Sequence, residues 1–181
     1  TRGVSLARLS SQVPWFQTPV SVTLRPLAAP DVTAARALAA ALLGGAPYAG
    51  AMLAALNEAL TSARDEYRVI GVHDRNTLMG FVVLGDTAGA LGAGRIYVVG
   101  VDATTRRRGI ASALIEAACA DLESRGARFA AIELPEEPDL AAGLALARGA
   151  GFREEGRVSD YTRDGVGLVL LRRDLGGGKP E

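Results

Sequence analysis

The sequence has few of the residues on which several kinds of catalytic and structural site depend. Among 181 residues there is one cysteine, Cys119, and one histidine, His73. These single residues exclude a disulfide framework and a Cys/His zinc site within one chain, and a Ser-His-Asp hydrolase would have to use His73. The only lysine, Lys179, lies in a glycine-rich tail that offers no enclosed position for a Schiff-base or P-loop lysine. We therefore expect chemistry based on carboxylates, hydroxyls, arginines or backbone groups, without a metal.

An excess charge of one sign and a long apolar run are also lacking. The chain carries 20 basic and 20 acidic residues, so no overall field attracts nucleic acid or an anionic membrane. No apolar run approaches the roughly 18 residues of a membrane span, and no charged-then-apolar leader opens the chain. The expected location is therefore the cytoplasm. Hydrophobic residues make up 49% and charged residues 22%, which is typical of one globular domain at this length.

The order of the predicted elements indicates an α/β fold of the α+β kind. We expect one domain over residues 20–175, with a mixed, mostly antiparallel sheet of about six to seven strands flanked by about four helices. An extension (1–19) precedes it and a flexible tail (176–181) follows it. Trp15 and Phe16 in the extension would cover a groove or a partner subunit, which leaves a homodimer open. The predicted strands are 20–24, 67–73, 78–84, 95–101, 129–134, 152–158 and 166–173, and the predicted helices are 31–43, 47–63, 109–125 and 138–148.

The most informative segment joins the third strand of a predicted meander to the best-defined helix. The strand ends at Val101, a polar loop follows over residues 102–108, and the helix begins at Gly109. The first turn of a helix leaves backbone N–H groups unpaired, and the helix dipole adds about half a positive charge there. Gly109 and Ala111 keep side-chain bulk away, and the three preceding arginines add positive charge. The segment therefore predicts an anion cradle, with a solvated basic surface as the alternative.

At these residues the sequence resembles the GNAT superfamily of acyl-CoA-dependent N-acyltransferases. The signature of that family, Gln/Arg-x-x-Gly-x-Gly/Ala between a strand and a long helix, matches Arg106-Arg-Arg-Gly-Ile-Ala111. The segment Leu146-Ala-Arg-Gly-Ala-Gly-Phe152 is similar to the end of the family's last helix, and the order of elements from 20 to 173 fits its architecture. The resemblance implies transfer of an acetyl group from acetyl-CoA to a primary amine, by direct attack in a ternary complex and without a metal.

The resemblance also implies which residues hold acetyl-CoA. Backbone amides of the loop and first helical turn would bind the pyrophosphate, and the strand before them would pair with pantetheine like an added strand. In that family this strand carries a bulge beside the position of Gly100, separates from the next strand, and supplies an amide that polarises the thioester carbonyl. For Gly100, simple packing under a helix is the alternative. The implied cofactor-binding residues are Val99, Gly100, Val101, Arg106, Arg107, Arg108, Gly109, Ile110, Ala111 and Ser112.

Two positions depart from the family's pattern. Many relatives have a tyrosine that protonates the leaving thiolate where this chain has Ala147, so the usual general acid is absent. Asp139 lies near a place where many relatives have an asparagine that touches pantetheine, and here we expect a helix N-cap after Pro138 instead. The missing tyrosine supports a second hypothesis, a non-catalytic module that binds and senses acyl-CoA.

Three side chains are candidates for catalysis. Glu133, between Ile132 and Leu134 in the strand beside the cleft, would have a raised pKa that suits a base, unless it lies on the wet face of that strand. Tyr97 would line the acceptor side of the cleft, with a core tyrosine as the alternative. Tyr161 follows a segment that resembles a motif of a GNAT subgroup, so it would border the acceptor pocket or replace the missing tyrosine; a simple loop tyrosine is the alternative.

The remaining candidates have simpler interpretations. His73 is expected to be exposed at a hairpin, and Cys119 to be an inert buried thiol on the apolar stripe of its helix. The acidic loop at Glu136 and Glu137 is expected to be solvated, although it could attract a cationic acceptor. We expect the acceptor to be a small-molecule or peptide amine. Nucleic-acid binding through the three arginines is a third hypothesis, weakened by the zero net charge and the few aromatic residues.

Overall fold

Seven strands form one mixed sheet in the computed structural model, which describes residues 22–46, 49–61, 67–87 and 89–176. The strands are β1 (Val22–Pro26), β2 (Tyr67–Asp74), β3 (Thr77–Asp86), β4 (Ala93–Val101), β5 (Phe129–Pro135), β6 (Arg153–Arg163) and β7 (Val166–Asp174). The helices are α1 (Val32–Leu43), α2 (Ala49–Thr61), α3 (Ile110–Ser124) and α4 (Ala141–Gly149). Single 3-10 turns at Ala29–Asp31, Ala103–Thr105 and Pro138–Leu140 precede α1, α3 and α4.

The sheet order is β1-β2-β3-β4-β5-β7-β6. Every neighbouring pair is antiparallel except β4 and β5, which run parallel because α3 forms the crossover between them. The predicted fold class and element order are thus confirmed. The main change is in β6, which continues to Arg163 rather than ending at Val158, through an irregular stretch. The domain limits stay a prediction, and Trp15 and Phe16 lie outside the described residues.

The two faces of the sheet carry separate apolar cores. Helix α3 has buried residues at helical spacing, including Leu114, Ile115 and Leu122, which pack with α4 on one face of the sheet. Helices α1 and α2 cover β2 to β4 on the other face, where Leu56 packs against Phe81. No helix within the described ranges is long and apolar enough to cross a membrane.

His73 is buried, so its predicted exposure at the hairpin is wrong. Only 1% of its surface is accessible. Its Nε2 lies 3.1 Å from Oδ1 of Asp31, and Arg25 donates from both terminal nitrogens to the same carboxylate, at 2.6 and 2.9 Å. Asp31 also accepts the amide of Ala28 at 2.8 Å. The reason is that β1 covers the edge of β2, so the end of the β2–β3 hairpin is enclosed by β1 and the turn before α1.

This cluster makes stability depend on pH. Hydrogen bonds from Arg25, against an opposing effect of burial, hold the pKa of Asp31 well below its usual range. A carboxyl with a lowered folded-state pKa contributes stability above its unfolded pKa of about 4, and that contribution is lost as the pH falls. We expect Asp31→Asn to be less stable than wild type at pH 7, with the difference shrinking toward pH 2. Urea unfolding across this range checks it, with Asp164→Asn in the exposed β6–β7 turn as the control variant.

Candidate active site

Strands β4 and β5 separate partway along their length. Their parallel pairing covers only Ala93–Ile96 against Phe129–Ile132. Beyond it, β4 continues to Val101 with β3 as its partner, while β5 continues to Pro135 with β7 as its partner. Beyond these pairs the two strands no longer pair with each other, which leaves a gap between them toward their carboxyl ends. Such a gap is uncommon within a sheet. Its unpaired strand edges can accept an extended chain as an added strand.

A bulge in β4 lies at the apex of this gap, the point just after Ile96 where the pairing of β4 with β5 ends. Val98 pairs with Val83 and Ile96 pairs with Leu84, so Tyr97 has no partner in β3. As a result Tyr97 and Val98 both pack on the α1/α2 face, whereas Val99 packs on the α3 face. A bulge here bends the strand at the residue where its pairing with β5 ends.

Gly100 is therefore not the bulge residue, and the expectation of a bulge beside it is wrong. It pairs regularly with Phe81. A Cβ atom at Gly100 would lie 2.9 Å from Cδ1 of Leu42 and 3.1 Å from the ring of Phe81. Glycine is needed there because α1 packs closely over the strand, which was the alternative interpretation.

The loop after β4 is held by Asp102. Its carboxylate accepts the amide of Thr104 at 2.8 Å as well as the Thr104 hydroxyl, and its carbonyl accepts the amide of Thr105 at 3.0 Å. These bonds from Thr104 lower the pKa of Asp102, so the carboxylate stays charged and keeps the turn closed. Arg107 and Gly109 then take positive φ angles of 62° and 75°, which turn the chain into α3.

The N-terminus of α3 opens at the end of this loop. The amide of Ala113 makes the first backbone bond of the helix, to the carbonyl of Gly109 at 3.0 Å. The amides before it, including those of Ile110, Ala111 and Ser112, have no partner within the first turn. A Cβ atom at Gly109 would have nothing within 4 Å, so the space in front of the helix is open. The geometry is that of an anion site built from backbone N–H groups.

The three arginines of the loop are exposed. Within the described residues, Arg106, Arg107 and Arg108 make no hydrogen bond or ion pair. They add positive charge to the segment that leads into the helix, and Arg106 interacts electrostatically with the carboxylate of Asp102. Their charge attracts an anion, while the backbone N–H groups make the close contacts with it.

A chain of side chains spans the apex of the gap on the α1/α2 face. Nη2 of Arg95 lies 2.5 Å from Oε2 of Glu133, and its guanidinium carbon lies 4.9 Å from the ring centre of Tyr97. The Tyr97 ring meets Tyr67 edge-on, at 5.0 Å between centroids. The expectation that Glu133 has apolar surroundings is wrong, because its carboxylate forms an ion pair with Arg95 across the two strands.

Tyr97 is half buried at this apex. Its hydroxyl lies 3.5 Å from the carbonyl of Asp86, at the limit of a hydrogen bond. Burial raises the pKa of Tyr97, and the neighbouring Tyr67 and Glu133 raise it further, while Arg95 lowers it. The phenol is therefore protonated at neutral pH and has a proton to donate.

The structure places the other predicted residues away from the apex. Tyr161 is 63% exposed on the edge strand β6, separated from the gap by β7 and β5. Ala147 is buried in α4 and supplies no acid. Asp139 lies inside the 3-10 turn and caps neither that turn nor α4, so the expected N-cap is wrong. Cys119 is buried as expected, and burial raises the pKa of its thiol to about 11.

Arg95 is the member of the apex that sequence reasoning missed. An arginine in a strand gives no signal by itself. Its position two residues before Tyr97, in a strand parallel to the one with Glu133, was the available clue. Among the described residues, no group of three His, Cys, Asp or Glu side chains could hold a metal ion.

Comparison with known proteins agrees with this geometry. A model of the acetyltransferase (GNAT) family matches residues 35–152, well over half of the chain. Within these residues lie the gap, the loop and the N-terminus of α3. No curated protein matches the sequence significantly.

Solved structures share the fold at low sequence identity. The aminoglycoside 6'-N-acetyltransferase from Enterococcus faecium has a TM-score of 0.72 at 11% identity, covering 88% of this chain and 99% of its own. The ribosomal-protein-S18-alanine N-acetyltransferase from Escherichia coli has a TM-score of 0.68 at 18% identity, covering 88% and 97%. The yncA protein of Salmonella typhimurium, solved with its cofactor acetyl-CoA, has a TM-score of 0.68 at 16% identity, covering 88% and 96%.

Proposed function

Because the chain belongs to the acetyltransferase (GNAT) family, we propose that it transfers the acetyl group of acetyl-CoA to a primary amine of a small molecule or peptide. The amine attacks directly in a ternary complex. The observation that carries this proposal is the gap between β4 and β5, which leads toward the open N-terminus of α3. A long, flexible thioester with an anionic end fits such a path, since the strand edges suit its amide-containing arm and the helix suits its phosphates.

The residues at the helix N-terminus fit the anionic end of acetyl-CoA. Gly109, at φ 75°, exposes the backbone without a side chain, and the amides of Ile110, Ala111 and Ser112 would bind the pyrophosphate. Along β4, the backbone of Val99 and Val101 would pair with the pantetheine arm. Acetyl-CoA supplies the activated acetyl group, and a backbone amide of β4 would polarise its carbonyl.

Side chains at the apex would remove a proton from the amine and supply a proton to the leaving sulfur. The attacking amine must lose a proton, and we assign the carboxylate of Glu133, which is paired with Arg95, to accept that proton directly or through water. Tyr97 would donate a proton to the sulfur as the carbon–sulfur bond breaks and the carbon–nitrogen bond forms. This assignment gives Tyr97 the role that the family's tyrosine would have had at position 147.

A second function, acyl-CoA sensing without turnover, is favoured by the alanine at position 147. A panel of amines separates the two: an amino acid, a peptide N-terminus, a polyamine and an aminoglycoside, with release of free CoA thiol as the readout. The aminoglycoside and the peptide N-terminus are chosen because one fold neighbour is an aminoglycoside acetyltransferase and another is a ribosomal-protein-alanine acetyltransferase. Amine-dependent release supports the enzyme. Binding of acetyl-CoA with no release from any acceptor would support the sensor.

The contribution of the exposed arginines to CoA affinity can be tested at Arg107. Arg107→Ala is expected to weaken CoA binding only about fivefold, because backbone amides carry the anion and an exposed charge contact is worth about 1 kcal/mol or less. Isothermal titration with CoA measures this. Arg75→Ala is the control, since Arg75 is also exposed and also has a positive φ, 53°, but lies in the β2–β3 turn. A loss of several hundredfold at Arg107 alone would show that side chains hold the phosphates.

A further inference from the structure

Arg95 connects the two candidate catalytic side chains across the strands that separate. It pairs in register with Ala131, one step before the last backbone pair of β4 and β5. Its side chain reaches diagonally to Glu133, one residue beyond that last pair, at 2.5 Å. The same guanidinium lies against the ring of Tyr97, the bulged residue. One cation thus touches the acid candidate on β4 and the base candidate on β5.

We propose that Arg95 is a positioning residue that fixes Tyr97 and Glu133 relative to each other at the apex of the gap. This inference rests on the proposed acetyl transfer. A diagonal ion pair at this point ties β5 to β4 where backbone hydrogen bonding stops. A planar guanidinium is suited to the task because it can form the ion pair with its edge and stack with its face.

The environment of Arg95 argues against a purely stabilising role. Its Nε is buried and makes no hydrogen bond among the described residues. An unsatisfied buried donor costs free energy, and a partly buried ion pair contributes little net stability over apolar packing. Arg95 therefore contributes little stability as a structural contact, but it orients the side chains of Tyr97 and Glu133, which an apolar residue would not do.

Measurements on Arg95→Gln test the role in catalysis. We expect kcat with the best amine to fall roughly tenfold to a hundredfold, because a misplaced catalytic group loses that much. CoA affinity should change less than twofold, since the phosphates bind elsewhere. Arg95→Lys keeps the charge but not the planar fork, so it should recover only part of kcat. The control is Arg172→Gln, which removes an arginine on β7, across β5 from the gap, that stacks on Phe129 at 4.4 Å and pairs with Asp174.

A titration of the Tyr97 phenol tests the same contact without turnover. Among the described residues, the charged or titratable groups around Tyr97 are Tyr67 on β2, Arg95 on β4 and Glu133 on β5, and its hydroxyl also lies near the Asp86 carbonyl on β3. Removing the cation should move the pKa of Tyr97 up, and Glu133→Gln should move it down. The phenolate absorbance near 295 nm, taken as a difference from Tyr97→Phe, reports this shift.

The outcomes separate this inference from the proposed function. If no amine is acetylated by the wild type, the proposed function fails, and the opposite shifts of the phenol still establish the contact. Unchanged kcat and an unchanged phenol titration in Arg95→Gln would overturn the positioning role. A loss of CoA affinity as large as the loss of kcat, or an equal loss in Arg172→Gln, would also overturn it, because both indicate general damage to the sheet.

Discussion

Replacing Gly109 by glutamate is expected to abolish acetyl-CoA binding while the protein stays folded. A carboxylate at the mouth of α3 would face the pyrophosphate with like charge and occupy its path to the amides of Ile110, Ala111 and Ser112. The Cβ of the new side chain would meet no protein atom, because nothing lies within 4 Å of a Cβ at this position. We expect the affinity for CoA to fall at least about a hundredfold, equivalent to about 3 kcal/mol.

Gly109→Ala is the matched control for this variant. Gly109 has a φ of 75°, which any other residue adopts at a cost of about 1–2 kcal/mol, so both variants carry the same backbone strain. Alanine adds neither charge nor a long side chain, and it should keep most of the affinity. Isothermal titration of folded protein, checked by circular dichroism, compares the two. Unchanged CoA affinity in folded Gly109→Glu would remove the assignment of this loop.

The fold could be predicted from the sequence because the periodicity of each element is strong. Helix α3 presents its apolar residues at regular helical spacing, and β2 to β4 are short apolar segments separated by turn residues. The end of β6 could not be predicted, because Ser159, Asp160 and Tyr161 are polar or turn-forming residues in an irregular pairing. There the partner strand, not local propensity, keeps the chain extended.

The loop before α3 was predictable as an open turn into a helix start, and the contacts at the apex of the gap were not. The loop depends on local features, a strand end, glycine and a helix start, which leave a pattern in the sequence. The bulge at Tyr97 depends on how β3 and β4 pair, and the ion pair of Glu133 depends on its parallel neighbour. His73 shows the same limit, since its burial is caused by β1 and by the turn at Asp31, far away in sequence. Contacts of this kind follow from topology, which residue patterns do not encode locally.

Replacing Tyr97 by phenylalanine is expected to lower turnover about a hundredfold, with CoA affinity nearly unchanged. General acid assistance is typically worth that much, and Tyr97 is the phenol to which we assign it, because it is protonated and lies in the bulge where the pairing of β4 with β5 ends. Phenylalanine keeps the ring contacts with Arg95 and Tyr67, so the change removes the hydroxyl proton donor and its long contact with the Asp86 carbonyl. The loss should appear in kcat rather than in KM for acetyl-CoA, because the group acts on the leaving thiol and not on binding.

Tyr161→Phe is the comparison that decides between the two phenols. Tyr161 lies exposed on the edge strand, so we expect full turnover from this variant. The reverse result, a loss only at Tyr161, would mean that the edge strand reaches the acceptor and that Tyr97 has a structural role. If both variants keep full turnover, neither phenol is the acid. A thiol has a pKa near 8.5, so a thiolate can leave without help at neutral pH. Water would then supply the proton, and no other residue of the chain would have to take the role that the family's tyrosine has at position 147.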